Sequence, residues 1–200
     1  MIEAARELFA SRGLDATLND VAHHAGLGVG TVYRRFPTKE ELIEAIFEDG
    51  INQLADLAES ALHHADSWEG FVWFVEHQCE ITATDRGMRE VAFSRSHCGG
   101  RLEGARVRLA PALSKLVERA QADGYLRPDL SATDIPIIGL LAGMVSEYAG
   151  TVDGELWRRY VAILLDGMRH RSDQARLKVN ALDEEQLEMA MQVGRPPGCR

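Results

Sequence analysis

The sequence predicts an all-α protein in two parts: a short helix-turn-helix head and a larger helical body. Three observations predict it. Apolar residues recur at three- and four-residue spacing through most windows of the chain, and no stretch alternates convincingly at the period of two that a strand requires. Glycine, proline and capping residues fall between these windows, where they stop or start helices. Two of the windows are very short and are joined by "AGLG", a tight Gly-containing turn of helix-turn-helix spacing.

Taken in order, the first helix carries Ile2, Ala5, Leu8 and Phe9 at helical spacing, and Gly13 provides its C-cap. Thr17 is an N-cap, with Asp20 three residues on in a capping-box arrangement. The helix it opens turns Leu18, Val21, Ala22 and Ala25 inward and stops at Gly26, which suits a left-handed turn position. Leu27 is expected to point back beside Val21 and Val32. The third helix runs from about Val29 to Phe36 with Gly28 as N-cap, and Pro37 ends it by restricting Phe36. Thr38 and Glu41 form a second capping box, opening a long helix with Ile43, Ile46, Phe47, Leu54, Leu57, Ala61 and Leu62 and running to about His64.

Further helices fit 67–84, 85–95 and 102–123, with "SHCGG" between the last two. "GYLRPDLSATD" is a turn ending in an N-cap, Ser131 with Asp134. The helix after it, "DIPIIGLLAGMVSEYAG", is apolar nearly all round and is expected to be buried on more than one side. "ELWRRYVAILLDGMRH" is the last strong helix, with Leu156, Tyr160, Ile163, Leu164 and Gly167 on one face. From Arg171 the pattern weakens to a small helix in "LDEEQLEMAMQ" and a frayed "VGRPPGCR". The expected division is a head over 1–47, a body over 48–170, and an extension over 171–200 that is partly disordered or a short helix.

Composition bounds the function. The chain has 200 residues and a formal net charge of −9, so attraction to nucleic acid must come from a local basic patch. With 46% hydrophobic and 26% charged residues it reads as soluble and globular, and no run approaches the roughly 18 apolar residues of a membrane span. The N-terminus lacks the pattern of a signal peptide. Three widely spaced cysteines, Cys79, Cys98 and Cys199, argue against a disulfide framework and for a reducing cytoplasm. No HExxH, Walker loop, GxGxxG after a strand or GxSxG elbow is present, so an enzyme is not expected. His77 and Cys79 lie two apart on a helix and face different ways, and adjacent His97 and Cys98 lack a zinc-ligand spacing, so neither a metal nor another cofactor is expected.

The short third helix carries the chemistry. Its exposed face would show Val29, Gly30, Thr31, Tyr33, Arg34 and Arg35. The methyls of Val and Thr can touch a thymine methyl, and arginine can read guanine or grip phosphate. Tyr33 can give its hydroxyl to a phosphate, and Lys39 sits in the first turn of the next helix, whose backbone N–H groups also face an anion. Thr17 can do the same on the opposite strand. The plain alternative is that Tyr33 and Phe36 are core and the arginines a solvated face.

The stretch from Leu8 to Ile46 resembles the TetR family of bacterial transcriptional regulators. The family pattern A-G-V-S-x-G-T-L-Y-x-x-F-x-S-K-E-x-L meets A-G-L-G-V-G-T-V-Y-R-R-F-P-T-K-E-E-L here, with Gly28 in place of the usual Ser cap. By position, the resemblance implies phosphate contacts at Thr17, Tyr33 and Lys39 and groove-facing positions at Asn19, Val29, Gly30, Thr31 and Arg35. It further implies a palindromic double-stranded DNA operator and a homodimer built through the helices near 132–150 and 155–169. The middle helices would enclose a pocket for an unknown small-molecule effector. Candidate pocket residues are Phe71, Phe74, His77, Gln78, Met88, Phe93, His97, Met144 and Tyr148. The expected function is that of a ligand-responsive DNA-binding regulator, with repression as the expected mode. A helical ligand-binding or scaffold protein without operator binding and a metal-responsive regulator are the alternatives.

Overall fold

The structure, a computed structural model, describes residues 1–92 and 100–193. Ten helices follow one another among them: α1 (Ile2–Arg12), α2 (Leu18–His24), α3 (Val29–Arg35), α4 (Lys39–Ala61), α5 (Ser67–Thr84), α6 (Arg86–Ala92), α7 (Gly100–Ala122), α8 (Asp134–Ala149), α9 (Leu156–Met168) and α10 (Glu184–Val193). No strand occurs among the described residues; one isolated antiparallel bridge joins Leu126 to Arg169.

Two apolar clusters organise these helices. Phe9, Val21, Val32, Leu42, Ile43, Ile46 and Phe47 bind α1 to α4 together, and Met88 and Val91 of α6 close that cluster from the side of the body. Phe71, Phe74, Leu116, Ile138, Trp157 and Val161 form the second, from α5, α7, α8 and α9. Leu57 of α4 and Leu109 of α7 touch both clusters. Helix α4 has 23 residues, so it reaches about 35 Å and crosses from one cluster to the other.

Helices α5 and α8 pack closely because polar groups bridge them where the backbones approach. Gln78 Nε2 donates to Ile135 O (3.0 Å) and Thr82 Oγ1 to Gly139 O (2.9 Å). A Cβ at Gly143 would collide with the Arg89 side chain and crowd Thr82 O, so glycine permits this approach. Arg89 in turn donates from Nη1 to Thr82 O (2.8 Å) and pairs with Glu147 (3.1 Å).

Four expectations are corrected. Leu27 points outward, 38% exposed, because its N–H is committed to Ala22 O (2.9 Å) in the tight turn. Helix α4 ends at Ala61, short of His64; the Leu62 N–H closes it on Ala58 O, and α5 approaches the Ala61 carbonyl at Gly70. The N-cap of α8 is Thr133, while Ser131 joins the same cap by donating its N–H to Asp134 Oδ2 (2.8 Å). Within this chain α8 is buried along one face only, through Ile135, Ile138, Gly139, Ala142 and Gly143; Leu141, Met144 and Tyr148 are exposed.

The segment after α9 returns across the body as a strap. Arg127 and Asp129 form a two-pronged pair (2.6 and 3.0 Å), Arg127 Nη2 also donates to Ala175 O (3.1 Å), and Leu177 N donates to Asp129 Oδ2 (2.7 Å).

Candidate functional site

In the head, α2 starts on the Thr17 cap. The Thr17 hydroxyl accepts from the Asp20 N–H (3.2 Å) and donates to Asp20 Oδ2 (2.6 Å), while the Thr17 N–H reaches the same carboxylate (2.8 Å). These hydrogen bonds from Thr17 hold the Asp20 carboxyl below its ordinary range. A phosphate at Thr17 would therefore compete with Asp20 for the hydroxyl proton. The helix closes at Ala25, and Gly26 turns the chain with φ 65°, a conformation that costs glycine least. Gly28 is extended (ψ 136°), and α3 begins.

Helix α3 is held by few contacts. Val32 is its buried residue, and Phe36 at its C-cap is buried beside it. Val29, Gly30, Thr31, Tyr33, Arg34 and Arg35 all face solvent, as does Asn19 on α2; Lys39 is half-buried at the start of α4. The expected DNA-facing residues of α2 and α3 are thus exposed on the head, and Lys39 is partly so. Arg34 Nη2 lies 3.4 Å from Thr31 Oγ1, and the Arg35 guanidinium sits 5.8 Å from the Phe36 ring centre.

Among the described residues Arg34, Arg35 and Lys39 form no ion pair, and neither do Arg12, Lys115, Arg159, Arg176 and Lys178, whereas Arg86, Arg89, Arg108, Arg127, Arg158 and Arg171 each pair with a carboxylate. In a chain of net charge −9, Arg34 and Arg35 place two adjacent cations at the end of α3.

The body holds a cavity of about 380 Å³. Ile51 and Leu54 come to it from α4, Gln78 and Thr82 from α5, Arg106, Leu109 and Leu113 from α7, and Thr133 and Pro136 from the entry to α8; Leu187 and Met191 of α10 complete the wall. The lining is mostly apolar, as a small-molecule site requires. Arg106 donates to Val91 O, which ties the cavity rim to α6.

Of the pocket candidates named from sequence, Gln78 faces this cavity. Phe71 and Phe74 are core residues behind it, fully enclosed by apolar neighbours. His77 turns aside; its Nδ1 lies 2.7 Å from Trp73 O and its ring centre 4.3 Å from that of Trp73. Met88 belongs to the core of the head, against Gly50. Met144 and Tyr148 lie on the outer face of α8, Tyr148 at 92% exposure. Phe93 and His97 fall outside the described residues. The wall residues that sequence reasoning missed are mostly aliphatic or small. Their signal was the spacing of four in Leu109/Leu113 and Leu187/Met191, which by itself reads as ordinary core packing. Cys79 is buried beside these elements, and burial pushes its thiol up to about 12, so it stays protonated and inert.

Comparison with known proteins bears on the fold and the family. Residues 1–46 match the description "Bacterial regulatory proteins, tetR family", and residues 66–170 match "Transcriptional regulator SbtR-like, C-terminal domain". The transcriptional repressor KstR2 of Mycobacterium tuberculosis is 28% identical over 142 residues, covering 65% of this chain and 69% of its own. The crystal structure of the TetR transcriptional regulator SCO0520 from Streptomyces coelicolor superposes with a TM-score of 0.57 at 28% identity, over 86% of this chain and 97% of that one. FadR from Bacillus subtilis, solved in complex with stearoyl-CoA, shares the fold alone, with a TM-score of 0.61 at 18% identity over 82% of this chain and 95% of its own.

Proposed function

This chain belongs to the TetR family of bacterial transcriptional regulators, and we propose that it is a repressor that binds a palindromic operator as a dimer and is released by a small molecule held in the body's cavity. Regulators of this family bind DNA and are not enzymes. No helix among the described residues is long and apolar enough to cross a membrane.

In this reading residues 1–47 are the reading head, 48–170 the sensor and dimerisation body, and 171–200 an extension. Arg34, Arg35, Tyr33, Lys39 and Thr17 grip phosphate or guanine, and Asn19, Val29, Gly30 and Thr31 meet base edges and thymine methyls. The exposed apolar faces of α8 and α9, with Met144, Tyr148, Tyr160 and Ile163, are the surface that a second copy covers. Two heads then occupy successive major grooves.

The observation that carries the reading is the span of α4. Lys39 is the first residue of α4 and belongs to the head, and Ile51 and Leu54 of the same helix stand in the cavity wall. A molecule that prefers one placement of α4 shifts the spacing of the paired heads and with it their affinity for DNA. The test is a fluorescence-anisotropy titration of a palindromic fragment from the neighbouring promoter at two salt concentrations. Binding is expected, with steep weakening by salt and release by one metabolite. An operator titration that no saturating small molecule changes would sink the effector half of the reading; salt-insensitive failure to bind any promoter fragment would sink the DNA half.

A further inference from the structure

The strap and α10 lie beyond the residues that match the family's C-terminal description, which stops at 170. Yet α10 does not project into solvent. It starts on its own signal: Asp183 Oδ1 accepts from Gln186 N (2.8 Å), and Gln186 Oε1 accepts from Asp183 N (3.1 Å), a reciprocal cap. Leu187 and Met191, four apart, face the body together and line the cavity; Met189 faces out. Two anchors place the helix there. Arg127 and Asp129 pin the strap at Ala175 and Leu177, and Thr133 Oγ1 donates to Leu182 O (2.6 Å), just before α10 begins. Thr133 itself lines the cavity.

The deep polar groups of the cavity, Gln78 and Thr82, are uncharged, and each gives a hydrogen bond to the α8 backbone. Gln78 Nε2 is given to Ile135 O, and the Thr82 hydroxyl to Gly139 O. The charged lining groups, Arg106, Glu184 and Glu188, come from α7 and α10 and none is fully buried. An ionised group carried into the interior would meet no buried counter-charge, which is costly.

We propose that α10 is a wall of the ligand site, with Leu187 and Met191 as ligand-contacting residues, and that the ligand is an uncharged, mainly apolar small molecule. The proposal rests on the reading that this cavity is the effector site. It gives α10 a function: the helix supplies one side of the pocket, and that side sets ligand affinity and residence time.

The test uses the full chain and N-phenyl-1-naphthylamine, a neutral apolar fluorophore, beside its anionic relative anilinonaphthalene sulfonate. The neutral probe is expected to bind more tightly than the anionic one. Leu187→Ala with Met191→Ala should weaken the neutral probe by about tenfold or more and speed its dissociation, since several apolar carbons leave the wall. Met189→Ala, on the outer face of α10, should change neither. Operator affinity measured on the same preparations confirms that the variants fold. Unchanged probe affinity in the double variant overturns the wall. Tighter binding overturns it too, because α10 would then compete with the ligand. Preference for the anionic probe, or no binding of the neutral one, overturns the ligand class. Ser114→Trp, placed in the cavity from α7, separates the two readings. If it abolishes probe binding, the cavity is the site and the double variant alone decides the role of α10; if it leaves binding intact, the cavity reading falls and the wall with it.

Discussion

In the head, residues that hold the fold and residues that face outward alternate along single short helices. Val32 and Phe36 fasten α3, and Thr31, Tyr33, Arg34 and Arg35 between and beside them are exposed. In the body the same two jobs are divided across the whole chain. The cavity wall draws on Ile51, Gln78, Leu113, Pro136 and Leu187, residues of five helices, while Phe71 and Phe74, one turn apart on α5, only fill the core behind it. A local surface can be changed without touching stability, whereas a cleft between helices is made of the packing itself.

The strongest way to break that contrast is to exchange the effects. Phe74→Ala, at a side chain buried on all sides, should lower stability by about 3–5 kcal/mol as measured by urea denaturation. Arg35→Ala, at an exposed residue with no ion pair among the described residues, should leave stability within about 0.5 kcal/mol. It should weaken operator binding by about 1–3 kcal/mol, read by anisotropy titration, and reduce the salt slope by about one if it grips phosphate. If Arg35→Ala unfolds the head or leaves DNA binding untouched, the separation of fold and function along α3 is wrong.

The same contrast explains what the sequence made legible. Helix starts and stops of the head were readable because each rests on a residue and its near neighbours: Thr17 with Asp20, Gly26 at the turn, Phe36 before Pro37. The exposed set on α3 followed from period alone, since one buried Val32 leaves the rest of a seven-residue helix outside. Leu27 was misplaced because a backbone hydrogen bond to Ala22, not hydropathy, decides its direction. In the body most helices were readable, but the cavity was not. Aromatic and imidazole groups attract attention in a sequence, yet His77 is satisfied by Trp73 on its own helix, and Tyr148 lies outside. Which aliphatic faces stop short of touching one another is a property of the packing, and no spacing records it. The role of α10 was equally hidden, because its two inward residues match any amphipathic turn.

A smaller effect tests the link between the regions. Thr38 Oγ1 accepts from the Glu41 N–H (3.2 Å) at the start of α4. Thr38→Ala should cost about 1 kcal/mol of stability in urea denaturation. Because α4 runs from the head into the cavity wall, fraying its first turn should also loosen operator binding while leaving probe affinity in the cavity unchanged. Equal loss at both sites would mean that the disturbance of the first turn is carried along α4 to the cavity wall.

The smallest effect, and the one that separates local from long-range fastening, is the pH dependence of the strap. Asp129 is held well below the ordinary carboxylate range, first by the hydrogen-bonded Arg127 guanidinium and then by the Leu177 N–H. A carboxyl whose folded value is depressed contributes stability above its unfolded value, near 3.8, and loses it as pH falls through the folded value. Wild type should therefore resist urea better than Asp129→Asn at neutral pH. The gap should persist down to about pH 4 and close as the solution becomes more acidic. DNA affinity at neutral pH should be the same in both proteins, since the pin lies in the body and the head is fastened by its own caps. A gap that stays constant as acid is added would mean that the shape of the side chain, not its charge, holds the strap across the body.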